Sequence, residues 1–539
     1  MARESLIYRI PFGNFRLKTT GLVSGSAFFL VFLLVTSLPS RADIEPSHRG
    51  RQLFFQGEIF SGESLTANVG AASIPVPATA LPCVGCHGRD GKGRAEGGVR
   101  PSNITWLNLT KEYGGTTEMG RRYQAYDESR FLTAVTEGID SSGNKLDSSM
   151  PRYNIARQDA RDLIAYLRVI QDDFDPGVSK DEIVFGTLQP DKQFQTSAAN
   201  AMIAVVQARL DEANRQGGIY GRQLKLEVTP YEDRQNFIAQ ASNLINQDKV
   251  FALVNVFSAG ADGSLIDIVE NAEIPSIAPY TQFPSADDGR HLYTFYLHGG
   301  LDSQIAVLAR RAAIKISGTG KAFVLYQQDG GFENSAKKAL AFLAENEIVE
   351  PKLLAYDRGS PNKLADIIDL KTNPNPAIIF IGSSSDLIAL LSEQPNQQLP
   401  YLYLPGFFVS SQILQLPEAY AQRLEMTYAT VPEGKDGQEL SKFRQFMRRN
   451  KLDHDFLTAR LFAYSATETL IEGVKRAGTR ITRKNFVDAI EEIYGFDVGL
   501  NQPISYGSQR RTGLLGAHVV TLDTDKKGLI PTGTWVRLD

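Results

Sequence analysis

Both cysteines of this 539-residue chain lie in one pentapeptide. Cys83 and Cys86 are separated by two residues and followed directly by His87, within PCVGCHGRDGKG at 82–93. A single close pair cannot cross-link distant parts of so long a chain. The remainder must therefore be held by hydrophobic cores, for which a 42% hydrophobic composition is ample. The length predicts about two to four domains.

Three kinds of site use two close cysteines. A structural zinc site needs four ligands, and the six histidines supply no second Cys or His pair at similar spacing. A thioredoxin-like redox pair belongs at a strand-to-helix junction, whereas this pair follows ASIPVPATALP and precedes a glycine-rich loop. The third site is covalent haem attachment, whose signature is C-x-x-C-H, with the histidine as an iron ligand. The pattern favours haem.

A haem iron in an electron carrier takes a second axial ligand, often a methionine sulfur. Between His87 and residue 200 the methionines are Met119 and Met150. Pro151 keeps the loop around Met150 out of a helix, whereas Met119 has no such neighbour and leaves little chain for a haem-sized fold. We therefore predict Met150 as the sixth ligand.

The first 42 residues have the features of an export signal. Basic residues precede the uncharged stretch GLVSGSAFFLVFLLVTSLPS, which ends in SRAD with a small residue at Ala42. The alternative is an uncleaved anchor, because residues 21–38 are nearly long enough to span a bilayer. In either case we expect the rest of the chain to be exported, and therefore periplasmic.

Residues 47–172 resemble the class I c-type cytochromes, especially those that serve periplasmic dehydrogenases. The matching stretches are SHRGRQLFFQGEIFSG, CVGCHGRDGKG, ESRFLTAVTEGIDSSGNKLDSSMP and RQDARDLIAYLRVI. The resemblance implies that the last of these helices crosses the first. It also implies one covalent haem c held by Cys83, Cys86, His87 and Met150, with the iron bound by His87 and Met150.

Residues 173–180 are acidic and contain Pro and Gly, which predicts a linker. Beyond them, apolar strands alternate with helical patterns, as in EIVFGTLQP and the helix expected over 198–214. This order predicts an α/β domain with parallel sheets. The sequence therefore predicts a small all-α cytochrome c domain followed by a bilobal α/β periplasmic-binding-protein domain.

Residues 181–539 resemble the Leu/Ile/Val-type periplasmic substrate-binding proteins of ABC transporters. The resemblance rests on ARLDEANRQGGIYGRQLKLEVTPYED, ENAEIPSIAPYTQFP and FAYSATETLIEGVKRAG. It implies two lobes that close on a small ligand about a hinge. We expect the first lobe at about 181–298 and 432–510, and the second at about 299–431 and 511–539.

Ligands of such sheets bind beyond the carboxyl ends of the strands. The loops there and the family resemblance predict these pocket residues: Ser258, Ala259, Tyr280, Thr281, Asp329, Ser384 and Phe407. Near YLPGFFVSS, where amino-acid binders can carry an acid for the ammonium group, this chain has Phe407 and Phe408. Burying an ammonium group without a carboxylate is costly, so we expect a more apolar, aromatic or merely carboxylated ligand. The alternative is that these two rings belong to the core.

Three functions are open at this stage. The first is one-electron transfer to or from a periplasmic partner, such as a dehydrogenase or terminal cytochrome, with a domain that binds a small organic ligand. The second is a solute receptor for an ABC permease, with haem as sensor or tether. Haem oxidase or peroxidase activity is the third, and an axial methionine argues against it. A net charge of −4 gives no basic field for nucleic acid.

Overall fold

The structure is a computed structural model that describes residues 45–538. Within this range the structure does not describe the following residues: 61–63, 71, 94–99, 192–195, 248, 259, 286–290, 317–319, 347, 349, 360–375, 393–398, 417, 421, 431–437, 499–501 and 524–527. The expected export signal at 1–42 and the predicted pocket residue Ala259 therefore lie outside the described residues. The chain divides into two units, Met1–Ile170 and Gln171–Asp539.

The first unit is mainly helical, as expected. Its helices are Pro46–Gln56, Cys83–His87, Trp106–Leu109, Glu128–Glu137 and Arg157–Val169. It also contains an antiparallel sheet in which Thr66–Val69 lies between Ile74–Pro77 and Arg152–Tyr153, and a small ribbon of Gly115–Thr116 with Arg122–Tyr123. The expectation of an all-α domain missed these strands, because two- to four-residue strands carry too little periodicity to be recognised.

The first and last helices of this unit cross in direct contact. Arg49 donates from Nε and Nη2 to the Asp162 carboxylate at 2.6 and 2.8 Å. A Cβ on Gly50 would lie 1.9 Å from the carbonyl oxygen of Asp162, so only glycine permits this approach. The rings of Phe54 and Tyr166 pack at 5.3 Å beside the crossing. The crossing implied by the cytochrome resemblance is confirmed.

The first lobe of the second unit is built on a parallel six-stranded sheet. In spatial order its strands are Thr512–Leu514, Thr294–His298, Ser276–Ile277, Ala252–Val254, Glu182–Pro190 and Gln223–Tyr231. The helices of this lobe are Thr196–Arg215, Arg234–Asn246, Asp262–Asn271, Gln438–Arg449, Leu457–Ala477 and Arg483–Glu491. Phe443, Phe446 and Phe486 from the later helices share one core with Phe185 of the sheet.

The second lobe has a seven-stranded sheet. Its strands are, in spatial order, Lys352–Tyr356, Ala322–Gln327, Ala377–Ile381, Tyr401–Pro405, Leu424–Tyr428, Gly516–Asp523 and Gly528–Arg537. The first five pair in parallel, and Gly516–Asp523 pairs antiparallel with both of its neighbours. The helices Gly300–Ile316, Glu333–Glu345 and Ser384–Ser392 belong to this lobe. The α/β architecture with parallel sheets is confirmed.

The chain passes from the first lobe to the second after His298, returns between Tyr428 and Gln438, and crosses again between Leu514 and Gly516. The last crossing corrects the expected boundary, because residues 511–539 do not all belong to the second lobe. Thr512–Leu514 is fully buried and pairs in parallel with Thr294–His298 of the first sheet.

The segment 173–180, expected to be a linker, belongs to the second unit and packs against its first lobe. The Asp175 carboxylate is buried and accepts a hydrogen bond from the backbone N–H of Arg483 at 2.7 Å. Arg483 is the first residue of the helix Arg483–Glu491. A Cβ on Gly177 would lie 2.1 Å from the Phe251 nitrogen, so the backbones meet closely here. Within the described residues, no helix is both long and apolar enough to cross a membrane.

Candidate haem-attachment site and ligand-binding cleft

The C-x-x-C-H motif forms a single short helix, Cys83–His87. Pro82 precedes it in an extended conformation, and Gly88 ends it at φ 71°, a conformation that favours glycine. Residues three apart lie on the same side of a helix, so this turn presents both thiols to one side. Neither thiol is in a disulfide; Cys83 is partly buried and Cys86 is exposed.

His87 is buried, and its tautomer is set by the backbone. Its Nδ1 lies 2.9 Å from the carbonyl oxygen of Ser102, which can only accept a hydrogen bond. Nδ1 therefore carries the proton and donates, which leaves the Nε2 lone pair free for a metal. Burial lowers the pKa of His87, which keeps the ring neutral. This is the state that a histidine needs to bind iron.

A glycine makes the approach of Ser102 to His87 feasible. Gly93 has φ +92°, and a Cβ there would lie 1.9 Å from the Pro101 carbonyl oxygen. The Gly93 N–H also donates to the His87 carbonyl oxygen at 2.8 Å. The glycine at the end of the motif thus allows the segment that carries Ser102 to lie against the histidine, a contact that the sequence did not predict.

An ion pair between Arg121 and the buried Asp140 contacts Ser102. Asp140, whose side chain is fully buried, pairs with Arg121, and Arg121 Nη2 reaches Ser102 Oγ at 3.3 Å. Burial by itself would raise the pKa of Asp140, but hydrogen bonds from Asn144, Ser142 and Arg121 outweigh it and hold the pKa below its ordinary value. Asp140 is therefore a carboxylate at neutral pH, and Arg121 connects it to the residue that orients His87.

The environment of the thiols does not favour the redox-pair alternative. Burial raises the pKa of the Cys83 thiol to about 12, whereas redox-active thiols depend on a lowered pKa. For zinc, the part of the chain that the structure describes contains no group of three or more His, Cys, Asp or Glu side chains placed to hold a metal. Neither alternative gains support.

Met150 and Met119 lie in different environments. Met150 is partly buried and packs against the same hydrophobic core as Cys83. Met119 has 69% of its surface exposed. Partly buried apolar side chains border the same core: Val84, Ile104, Trp106, Leu132 and Leu146.

The donor set in this unit fits a covalently attached haem. It combines two free thiols on one helical turn, a neutral imidazole with Nε2 available, and a thioether against the same apolar surroundings. Cys83 and Cys86 would hold the porphyrin, His87 would bind the iron, and Met150 is our candidate for the opposite side.

In the first lobe, the predicted pocket residues lie on loops after strands of the sheet. Ser258 is buried, and its hydroxyl donates to Asp262 Oδ1 at 2.5 Å. The ring of Tyr280 packs between Phe257 at 5.0 Å and Phe462 at 5.1 Å. The Thr281 hydroxyl accepts the backbone N–H of Phe283 at 2.9 Å.

In the second lobe, the predicted residues differ in how far they are engaged. Asp329 accepts Gln327 Nε2 at 2.8 Å. Ser384 is buried; its hydroxyl donates to the Phe408 carbonyl oxygen at 2.7 Å and accepts the Ser410 N–H at 3.0 Å. Ser384 thus shapes the loop that carries Phe407, which is 53% exposed.

Four aromatic rings connect the two lobes. Phe283 of the first lobe stacks on Phe332 of the second, with centroids 6.2 Å apart and planes at 27°. Phe332 contacts Phe408 at 4.9 Å, and Phe408 contacts Phe407 at 5.0 Å. The sequence analysis pointed to Phe407 and Phe408 but not to Phe283, whose only signal was its position before a proline in TQFP.

Comparisons with known proteins agree with both halves of this description. Residues 78–171 match the family model of cytochrome c, and residues 182–527 match that of periplasmic binding proteins. A curated relative, an amino acid binding protein of Pseudomonas aeruginosa, is 22% identical over 262 residues, which are 47% of this chain and 70% of the relative.

Solved structures share the fold of the second unit. A fatty acid ABC transporter substrate-binding protein from Thermomonospora curvata has a TM-score of 0.54 at 16% identity, over 68% of this chain and 96% of its own. A branched chain amino acid ABC transporter from Thermus thermophilus, with bound valine, has a TM-score of 0.54 at 13% identity, over 66% and 97%. Identities this low establish the shared fold alone.

Proposed function

The chain belongs to the periplasmic binding protein family, and from this premise and its cytochrome c region we propose that it is an exported one-electron carrier fused to a receptor for a small organic solute. The observation that carries the electron-transfer half is the hydrogen bond from His87 Nδ1 to Ser102 O. Because Nδ1 carries the proton in this bond, Nε2 is left unprotonated for a metal, directly after the cysteine pair. One haem c, when bound, supplies an iron that is oxidised and reduced by one electron.

The residues around the cofactor have separate roles in this proposal. Cys83 and Cys86 would hold the porphyrin covalently, and His87 and Met150 would bind its iron. An iron bound by both side chains would offer no site for oxygen or substrate, which favours electron transfer over oxidase or peroxidase chemistry. A periplasmic dehydrogenase or a terminal cytochrome is the kind of redox partner that this role requires.

The first test is the composition of the mature protein. We expect its mass to exceed that of the polypeptide by one haem, and its reduced spectrum to be that of a low-spin c-type haem. Cys83→Ser with Cys86→Ser should abolish covalent attachment. A mature protein without haem mass and with both thiols free would overturn the electron-carrier proposal and leave only a solute receptor. The N-terminal sequence of the same sample would test export and cleavage after Ala42.

The solute half of the proposal rests on the aromatic rings at the meeting of the lobes. Phe283 and Phe407 are 44% and 53% exposed, so apolar surface is presented where a ligand would bind in this fold. We propose that the following residues line the ligand pocket: Ser258, Ala259, Tyr280, Thr281, Asp329, Ser384 and Phe407. The ligand is then apolar, aromatic or merely carboxylated, rather than an ordinary α-amino acid.

Calorimetric titration tests this ligand class. We expect an aromatic carboxylate such as phenylacetate to bind more tightly than leucine. Tight, stereoselective binding of leucine would contradict the proposal.

The second candidate is a receptor that delivers solute to an ABC permease, with haem as a sensor or tether. Its support is the two-lobed fold shared with transporter receptors. Measuring the haem potential while titrating solute separates the candidates. A solute-dependent potential would favour the sensor, and a constant potential would favour a carrier with an independent receptor domain.

A further inference from the structure

We propose that Arg152 positions Met150, by holding the loop 146–150 in the shape that presents its sulfur to the haem iron. The inference rests on the proposed haem site and assigns it a residue that neither the C-x-x-C-H motif nor the methionine itself reveals. Arg152 follows Met150 by two residues and lies in the edge strand Arg152–Tyr153.

One guanidinium group binds three carbonyl oxygens of the loop. Arg152 Nη1 donates to the carbonyl of Met150 itself. Nη2 donates to the carbonyl of Leu146 at 2.9 Å and to that of Asp147 at 3.1 Å. A positive group bound to three carbonyls of one five-residue segment fixes both ends of that segment at once.

The guanidinium is itself held against the end of a helix. Gly138 ends the helix Glu128–Glu137 with φ +70°, and a Cβ there would lie 1.8 Å from Arg152 Nε. The first residue of the loop, Leu146, donates its N–H to the Gly138 carbonyl at 2.7 Å. Gly138 therefore leaves the space that Arg152 occupies, and the loop is joined to the helix by the backbone and by the arginine.

The backbone of Arg152 is fixed independently of the loop. Arg152 pairs with Asn68 in the antiparallel sheet, and the next residue, Tyr153, donates its hydroxyl to the Leu81 carbonyl at 2.6 Å. The side chain therefore reaches the loop from a strand that is held by contacts outside the loop. Within the loop, Met150 N–H donates to the Asp147 carbonyl at 3.2 Å, which completes a turn that the arginine covers.

A lysine could not replace this arrangement. The planar guanidinium directs several N–H groups at fixed angles, whereas an ammonium is a point charge on a flexible stem. Arg152→Lys therefore keeps the charge but loses the geometry, and Arg152→Gln loses both. The two variants separate positioning of the loop from the electrostatic effect of a nearby cation.

Competition by free imidazole measures how firmly Met150 is held. Imidazole binds the ferric iron only when the sulfur has left it, so its apparent affinity is the intrinsic affinity multiplied by the fraction of molecules whose loop is open. Loss of the three hydrogen bonds increases that fraction. For Arg152→Gln in the full-length haem protein we expect imidazole to bind about tenfold more tightly than to the unmodified protein, and for Arg152→Lys nearly as much.

Two further variants complete the experiment. Arg157→Gln removes an exposed arginine of the same unit and should leave imidazole affinity unchanged. Met150→Ala removes the competing sulfur and should give the tightest binding of the series. Haem content per polypeptide is measured for each variant. If Arg152→Gln does not retain haem, the imidazole affinity of Arg152→Lys tests the inference instead.

Three results would overturn the inference in distinguishable ways. If Met150→Ala binds imidazole tightly while both Arg152 variants match the unmodified protein, Met150 is the ligand but Arg152 does not position it. If only Arg152→Gln shifts and Arg152→Lys does not, charge rather than geometry acts. If Met150→Ala itself matches the unmodified protein, Met150 is not the ligand, and this part of the proposed function fails together with the role of Arg152.

Discussion

The Tyr153 hydroxyl donates a 2.6 Å hydrogen bond to the carbonyl oxygen of Leu81. Tyr153 lies three residues after Met150, and Leu81 lies two residues before Cys83. One contact thus joins the segment that carries the candidate sulfur ligand to the segment that carries the thiols, although 72 positions separate them in sequence. The geometry of the haem site depends on such long-range contacts as much as on the motif.

Removing this hydroxyl should weaken the first unit. We expect Tyr153→Phe to lower the free energy of unfolding by about 1 kcal/mol, because the Leu81 carbonyl loses its donor in a partly buried position. Urea titration followed by haem absorbance measures the change. Tyr113→Phe is the matched control, since Tyr113 is 93% exposed, and equal stabilities of the two variants would contradict the prediction.

Replacing the sulfur ligand should change the electronic properties of the haem. We expect Met150→Ala to lower the reduction potential and to abolish the long-wavelength ferric band of sulfur ligation, because thioether ligation favours the reduced iron. Potentiometry and absorbance provide the two readings. Met119→Ala, at a position 69% exposed, should change neither reading. Loss of the band in Met119→Ala would show that Met119, and not Met150, is the sulfur ligand.

The helix crossing should not tolerate a single added methyl group. In Gly50→Ala the new Cβ would lie 1.9 Å from a backbone oxygen of the opposite helix, which cannot move without separating the helices. We expect a loss of about 2 kcal/mol or more in thermal or urea unfolding. In Gly85→Ala a Cβ meets no atom within 4 Å, so this control should unfold like the unmodified protein.

The second unit should lose stability in mild acid through His298. Burial and the neighbouring His518 lower the pKa of His298 to about 3, and neither ring nitrogen has a hydrogen-bond partner among the described residues. The unfolded chain, with a histidine pKa near 6.5, binds a proton that the folded chain does not, so stability falls as the pH drops below about 6.5. Between pH 7 and pH 5 this residue should contribute a loss of about 2 kcal/mol.

Urea titrations of His298→Leu at the two pH values check this contribution. The variant should lose about 2 kcal/mol less than the unmodified protein over the same interval. His454→Leu removes an exposed histidine and should leave the acid loss in place. Identical pH profiles for His298→Leu and the unmodified protein would contradict the prediction.

Ligand affinity should depend on the ring that comes from the first lobe. We expect Phe283→Ala to weaken binding of an aromatic carboxylate about tenfold, because the stacked surface shared with Phe332 is lost. Calorimetry gives the affinity. Tyr494→Ala, at an 87% exposed position, serves as the control. Unchanged affinity in Phe283→Ala would place the ligand elsewhere in the cleft.

Much of the architecture could be predicted from the sequence because it depends on local patterns. The strand Glu182–Pro190 and the helix Arg157–Val169 were predicted because apolar residues recur at the period of each element. Residues 173–180 were predicted to be a linker because of their composition. Composition carries no information about distant contacts, such as the hydrogen bond between Asp175 and the backbone of Arg483, 308 positions away. Thr512–Leu514 was placed in the wrong lobe because three residues carry no information about their partner strand.

For the haem site, the residue types and the spacing of Cys83, Cys86 and His87 come from the sequence alone, since a covalent motif must be contiguous. The tautomer of His87 was decided only in the folded chain, because its acceptor is a backbone carbonyl, a group that every residue carries. The same holds for Arg152 and Phe283, whose roles depend on which distant atoms lie within reach. Chemistry encoded in side-chain identity can be read from the chain, whereas chemistry that arises from proximity exists only after folding.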